Sequence, residues 1–256
     1  PLALSPQSKP IAYRDSNVFV ANTLDDTLDV IDANTNQITK TINVGIDPVC
    51  VAIRPDGMEI WVSNHISDSV SVIDNNPNNA TYLSVIATIQ QLDAGRNTTA
   101  FDEPVGIAFA NNNKAYVALS STNQVAIIDV PSKTVSGHIR VYSQEPRSLM
   151  VKNGMLFINS FESGNRTQLS LGDLSVPGIT IGPNDMGFDS AGHVIDIIKH
   201  PSIPDRDLYV YNTANDSFIR HYDGLGTLLY GLTVDNNGTA YVALTDARND
   251  VNGKSG

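Results

Sequence analysis

The feature that most constrains this chain is a repeat. An aromatic residue followed by Val or Ile recurs at Phe19, Trp61, Tyr116, Phe157, Tyr209 and Tyr241, in the strings FVAN, WVSN, YVAL, FINS, YVYN and YVAL. These anchors stand 42, 55, 41, 52 and 32 residues apart. An aspartate follows at Asp32, Asp74, Asp129, Asp173 and Asp223, after 13, 13, 13, 16 and 14 residues. A nearly constant second spacing beside a variable first one means that two strands and their loop are of fixed length, with insertions placed elsewhere. Self-similarity at this period is the signature of a repeat architecture.

Each unit reads as four strands, A to D. In the second, PVCVAI is A, EIWVSN is B, SVSVID is C and LSVIATI is D. B and C alternate with the two-residue period of a pleated strand, whereas A is a short apolar run suited to cover on both faces. Turns RPDG (54–57), ANNN (110–113), VKNG (151–154) and DNNG (235–238) join A to B, with Gly and Asn supplying the positive φ that tight hairpins need. The repeated Asp after strand C reads as a turn former, its side chain bonding nearby backbone. No segment keeps a 3.6-residue period, so the fold class is all-β. A lone four-stranded sheet with two apolar faces is unstable in water. Stacking such sheets radially buries both faces, which predicts a β-propeller of four-stranded antiparallel blades.

The run VFVANTLDDTLDVIDANTNQITKTINVGIDPVCVAIRPDG and the segment EIWVSNHISDSVSVID resemble the YVTN repeat of surface-layer and periplasmic β-propellers. NHISDSVSVID and FESGNRT further resemble a subgroup of large exported bacterial propellers, some of which carry a c-type cytochrome domain after the propeller. The resemblance spans roughly residues 1–245. It implies the seven-bladed type, which at about 40–45 residues per blade needs roughly 280–315 residues. The expected units are 1–43, 44–98, 99–140, 141–185, 186–226 and a partial 227–256, with PLALSP as the first strand A and TAYVAL as a sixth strand B. On this reading 1–256 is one propeller domain with about five to six blades, incomplete at its C-terminal end, and a fragment of something larger. No basic and apolar leader precedes Pro1, so a signal peptide has been removed or the chain starts downstream of one.

Composition narrows the partners. The net charge is −11 and the pI about 4.7. Such a surface repels phosphate backbones and anionic membranes, so nucleic acid is not an expected partner, and no apolar run is long enough for membrane insertion. Cys50 is the single cysteine, in the apolar run PVCVAI, and reads as a core residue. CxxC and CxxCH are absent, so no haem and no other cofactor is expected within this chain. Five N-x-S/T sequons, at Asn79, Asn97, Asn165, Asn215 and Asn237, read as accidental in an Asn-rich chain. The tail DARNDVNGKSG fails as a calcium loop, because Arg248 stands where the first ligand Asp belongs.

In a propeller the B–C and D–A loops gather on one face around the central channel, which makes that face the expected ligand site. The expected ligand-binding residues there are Asp25, Asp26, Asp47, His65, Asp68, Glu103, Glu145, Glu162 and Arg166. Asp93, Arg96 and Asp216 also fall in these loops. Aligned A strands place Val49, Val105, Arg147, His193 and Tyr230 at one position, of which Arg147, His193 and Tyr230 are candidate catalytic residues. The plain alternative is that these polar groups satisfy backbone or water in the channel. His65 beside Asp68 has the chemistry of a base or ligand, but a metal site needs several converging donors and none is expected. His138, His200 and His221 are scattered over other segments.

Three functions remain open. The first is a non-catalytic binding module of an exported protein that is secreted, periplasmic or on the cell surface, with a protein, glycan or cell-surface polymer as partner. The second is a channel-mouth enzyme, as the lactonases and lyases on related propellers are. The third, resting on the resemblance alone, is support for an attached or partner cytochrome c or copper electron-transfer domain, with the cytochrome beyond Gly256.

Overall fold

The computed structural model describes residues 7–141, 143–162, 187–188, 194–195 and 206–245. All regular structure among them is β, and none of it is a helix long and apolar enough to cross a membrane. The strands are β1 (Ile11–Arg14), β2 (Asn17–Asn22), β3 (Thr27–Asp32), β4 (Gln37–Asn43), β5 (Pro48–Ile53), β6 (Glu59–Asn64), β7 (Ser69–Asp74), β8 (Val85–Ile89), β9 (Leu92–Asp93), β10 (Thr98–Thr99) and β11 (Pro104–Phe109). They continue as β12 (Lys114–Leu119), β13 (Gln124–Asp129), β14 (Thr134–Arg140), β15 (Gln144–Lys152), β16 (Met155–Glu162), β17 (Gly187–Phe188), β18 (Val194–Ile195), β19 (Leu208–Asn212), β20 (Phe218–Tyr222), β21 (Leu228–Val234) and β22 (Ala240–Thr245).

Three sheets follow the expected grammar in the orders β1-β2-β3-β4, β5-β6-β7-β8 and β11-β12-β13-β14. The wide spacing between Trp61 and Tyr116 arises from a long turn after Asp74 and from the small β9–β10 hairpin between the second and third sheets. The repeated aspartates act as turn formers. Asp32 accepts from the N–H groups of Asn34 and Thr35, and Asp74 from Asn76 N–H. Asp129 accepts from Ser132 N–H.

Two expectations need correction. PLALSP lies outside the described residues, and the strand that pairs with β2 is IAYR, Ile11–Arg14. The turn joining them, Asp15–Ser16, has φ of 48° and 66° at its two central positions. That is the geometry of a type I′ hairpin made without glycine, which hid it from a search for Asn-Gly pairs. The second correction concerns the boundary placed between residues 185 and 186. LYVYN looks like a strand B, yet β19 pairs with β16, Phe157 facing Val210 and Ile158 facing Tyr209. The fourth blade therefore runs β15-β16-β19-β20, with residues 163–207 between its second and third strands, and the pair Glu162–Leu228 joins it to β21 and β22 in one six-stranded sheet. An aromatic–Val alternation fits strand B and strand C equally, and only pairing tells them apart. Tyr209 is thus on a third strand and Asp223 follows a fourth one. Asp173, His193, His200 and Arg166 lie outside the described residues. TAYVAL becomes β22, the second strand of a fifth blade that β21 opens.

Neighbouring blades bury their facing surfaces. Phe19, Leu28 and Val30 of the first meet Ile60, Val62 and Ile73 of the second. Trp61, Val70 and Val72 meet Val117, Ala126 and Ile128 of the third. Tyr116 and Val125 meet Leu156, Ile158 and Tyr209 of the fourth, whose Phe157 and Val210 meet Val234 of the fifth. Removal of these apolar faces from water is what holds the blades side by side. Cys50 is fully part of this core, and burial pushes its thiol up to about 11.

Polar staples cross the blade interfaces. Glu59, at the start of β6, accepts from Arg54 at 2.7 Å, Trp61 Nε1 at 2.8 Å and, from the third blade, Lys133 Nζ at 2.8 Å. One blade further on, Lys114 and Tyr116 occupy the places of Glu59 and Trp61, and Asp216 of the fourth blade bonds both, at 2.9 and 2.5 Å. The same staple is made twice with its charges reversed. At the axis, residues 8 and 9 run parallel to β5, and Ser8 Oγ donates to the Arg147 carbonyl at 3.1 Å, so the leading segment crosses from the second blade to the fourth.

Candidate functional site

Four of the five innermost strands are interrupted by a bulge at one place, while β1 pairs with β2 in unbroken register. The register breaks between Pro48 and Cys50, between Pro104 and Ile107, between Pro146 and Ser148, and between Leu229 and Gly231. The interrupted positions hold Val49, Val105, Arg147 and Tyr230, four of the five that sequence alignment placed together, the fifth, His193, lying outside the described residues. A bulge leaves its residue unpaired and re-aims the side chain. The residues before the three prolines are Asp47, Glu103 and Glu145, with φ of 63°, 50° and 53°. Left-handed backbone is uncommon for non-glycine residues and here is fixed from outside. Asp26, Asp68 and Asn123 of the preceding B–C loops accept from the N–H groups of Asp47, Glu103 and Glu145 at 2.9, 3.0 and 2.9 Å.

The result is a cavity of about 390 Å³ lined by His65, Glu103, Ser120, Glu145, Arg147, Phe161 and Tyr230. Arg147 is its centre. Its guanidinium lies 3.6 Å from the Phe161 ring centroid and donates from Nη2 to Glu145 Oε2 at 3.0 Å. Tyr230 packs edge-on against Phe161, with centroids 5.4 Å apart. Only 4% of Arg147 is exposed, and burial works against its charge while Glu145, Tyr230 and Glu162 support it. On the opposite wall, Ser120 Oγ donates to the Glu103 carbonyl at 3.1 Å and lies 3.2 Å from Glu103 Oε2, while His65 Nε2 stands 4.0 Å from the same carboxylate oxygen. Asp68, behind this wall, has its carboxyl held above the usual range by burial, with the charges of Asp102 and Glu103 adding to it. Arg147 Nε and His65 Nδ1 are buried without a hydrogen-bond partner.

Five residues singled out from sequence meet here: His65, Glu103, Glu145, Arg147 and Tyr230. Glu162, at the end of β16 opposite Leu228, adds its charge to the Arg147 environment. Asp26 and Asp68 hold the D–A loops, as described, and Asp25 accepts from Asn22 Nδ2 at 3.0 Å. Asp216 is not in a B–C loop: it sits in the turn between β19 and β20, bonded to Lys114 and Tyr116. His221 pairs with Asp223 at 3.2 Å on the fourth strand of its sheet. Ser120 and Phe161 went unpredicted, although a signal existed. FVAN, WVSN, YVAL and FINS are followed by Thr23, His65, Ser120 and Phe161, so the column one residue beyond the aligned strings supplies three of the residues that line the cavity.

Ser120 Oγ is thus within hydrogen-bond reach of both the carbonyl and the carboxylate of Glu103, with His65 beside the same carboxylate oxygen. Among the described residues no group of three His, Cys, Asp or Glu side chains is placed to hold a metal ion.

Residues 1–127 match the YNCE-like beta-propeller family. No curated protein matches the sequence. Among solved structures, hydrazine synthase of Kuenenia stuttgartiensis superposes with a TM-score of 0.51 at 20% identity, over 93% of this chain and 72% of that one. The WD40 beta propeller domain of Doa1 gives 0.60 at 10% identity, over 91% of this chain and 58% of that one. A chain of the mitotic checkpoint complex gives 0.59 at 11% identity, over 88% and 53%. At these identities the likeness is one of fold. Repeat, sheet order and these likenesses agree: the chain is a β-propeller-repeat protein, YNCE-like over residues 1–127.

Proposed function

We propose that this chain is a non-catalytic binding module of an exported protein, and that its partner is a glycan or other cell-surface polymer, one unit of which enters the channel-mouth cavity. The observation that carries this reading is the cavity itself, made at successive blades from aligned positions and lined by an aromatic pair, two carboxylates and a buried arginine. About 390 Å³ falls toward the lower end of the range for small-ligand sites, roughly 300–1,000 Å³. A protein partner would instead ask for a face of about 800 Å². The acidic surface, net −11, suits an exported setting in which solubility matters and polyanions are avoided.

The test is a glycan array with the purified chain, beside Tyr230→Ala and Arg147→Met variants. Binding that both variants weaken supports the reading. Retention of no saccharide, or steady turnover of a lactone or uronate substrate, overturns it and favours the enzyme alternative, in which Arg147 and Tyr230 would act on a substrate in the same cavity.

A further inference from the structure

Three exposed aliphatic side chains stand on adjoining loops of the first two blades. Leu24, Ile46 and Ile66 are 65%, 53% and 58% exposed. Hydrogen bonds stitch the loops together. Asp26 accepts from Val44 N–H at its carbonyl and from Asp47 N–H at Oδ1, and Ile46 N–H donates to Ser67 Oγ at 2.9 Å. Isolated exposed aliphatics are ordinary, whereas several gathered on one face mark an interaction site.

The repeat supplies an internal control. Ile46 and Ile66 lie two residues beyond the Pro48–Asn64 pair, one on each side. The same positions hold Asp102 and Ser121 beyond Pro104–Leu119, and Gln144 and Glu162 beyond Pro146–Ser160. Ser121 Oγ donates to Asp102 Oδ2 at 2.9 Å, and Gln144 faces Glu162, so the two positions are cross-strand neighbours. The column of Leu24 and Ile66 likewise continues as Ser121 and Glu162. The fold therefore accepts polar residues at these places, and packing does not require the aliphatic ones.

Charge selects the occupant. Residues 23–26, 44–47 and 65–68 carry four aspartates, Asp25, Asp26, Asp47 and Asp68, with no lysine or arginine. Their one histidine, His65, is buried. An apolar patch among uncompensated carboxylates attracts a cationic partner and turns away an anionic one.

We propose that these three loops dock a basic amphipathic segment of a partner protein. Its apolar side chains lie on Leu24, Ile46 and Ile66, and its lysines or arginines stand beside the aspartates. This goes beyond the glycan reading and does not depend on what fills the cavity. A short segment with a few anchors asks for much less surface than a whole protein face.

Fluorescence anisotropy with the whole chain and three labelled peptides tests it. The peptides are an amphipathic leucine–lysine helix, the same sequence with glutamate for lysine, and the same with serine for leucine. Only the leucine–lysine peptide should bind, and added salt should weaken it. Leu24→Ser and Ile66→Ser should each cost about tenfold in affinity, the worth of a central anchor. Both should melt like wild type, since Ser121 already holds the equivalent place in the third blade. Ile38→Ser removes an exposed aliphatic at the other end of β4 and should leave binding unchanged. Equal binding of the glutamate or serine peptide, or no binding at all, overturns the proposal. Wild-type affinity in Leu24→Ser and Ile66→Ser does the same, as does an equal loss in Ile38→Ser. Residues 1–6 lead to Gln7, whose Nε2 donates to Thr23 Oγ1 beside the patch at 2.7 Å. Binding that appears only when residues 1–6 are removed makes them the occupant and also overturns the proposal.

Discussion

Gly106 lies at the bulge of β11, beside the strand that carries Arg147, and its replacement by alanine joins fold to site. A Cβ on Gly106 would stand 2.2 Å from the Arg147 carbonyl oxygen and 3.2 Å from Leu149 N. Ordinary contact begins at 3.4 Å, so the two innermost strands must part by about 1.2 Å. Both obstacles are backbone, and no rotamer relieves them. Overpacking of this kind costs about 1–3 kcal/mol, and a clash with backbone belongs at the upper end. A loss of about 3 kcal/mol lowers the melting temperature by roughly 6–12 °C in a chain of this size. Parting the strands also pulls the Arg147 carbonyl away from Ser8 Oγ and shifts the arginine from Glu145, so ligand affinity should fall with stability. Thermal and urea unfolding followed by circular dichroism read the effect. Gly231→Ala is the control, since its Cβ would meet nothing closer than 3.9 Å and should leave the melt almost unchanged. A Gly106→Ala protein that melts within a degree of wild type would refute the close approach of the inner strands and the reasoning built on it.

Three further outcomes follow from the same contacts. Glu59→Ala should lose about 3–5 kcal/mol, since it strips Arg54, Trp61 Nε1 and Lys133 of a shared buried acceptor, whereas Lys133→Ala should lose about 1 kcal/mol because Arg54 still pairs with Glu59; urea midpoints separate the two. Burial raises the Asp74 carboxyl, but bonds from Thr81, Asn76 N–H and Asn79 outweigh it and hold the group below its ordinary range. Its stabilising effect is therefore present above the unfolded value of about 3.9 and is lost as pH falls through the lower folded value, so Asp74→Ala should cost about 2 kcal/mol at pH 7 and progressively less below pH 4. The Cys50 thiol, buried and pushed up to about 11, should resist a thiol reagent at pH 8 in the native protein and react at once in guanidinium; rapid native labelling would place Cys50 at a surface.

Much of the molecule is written in local patterns. The spacing of Phe19, Trp61 and Tyr116 from their aspartates gave two strands and a loop directly, because a strand pair of fixed length needs only neighbouring residues. The equivalence of Val49, Val105, Arg147 and Tyr230 was equally legible, since the first three follow a proline and Tyr230 the second leucine of LLYGLTV, each near the start of an A strand. Asp26 and Asp68 show the limit of such reading. In sequence they are acidic loop residues on the ligand face, yet their side chains are engaged in fixing the backbone of Asp47 and Glu103. Composition marks a carboxylate without telling whether a ligand or an N–H group will meet it.

The sequence alone determined the strands, their order within the regular blades and the stacking of blades, because alternating apolar residues leave a sheet two faces to bury and the repeat supplies the neighbours that bury them. Tertiary structure decided which strands share the fourth blade, since Leu208–Asn212 carries the pattern of a second strand and is made a third only by hydrogen bonds to β16 across a long insertion. It also decided the site. His65, Glu103, Arg147 and Tyr230 come from four successive blades and converge only when the three interfaces between them form, and exposure, a property of the packed surface, chooses which of them a ligand touches.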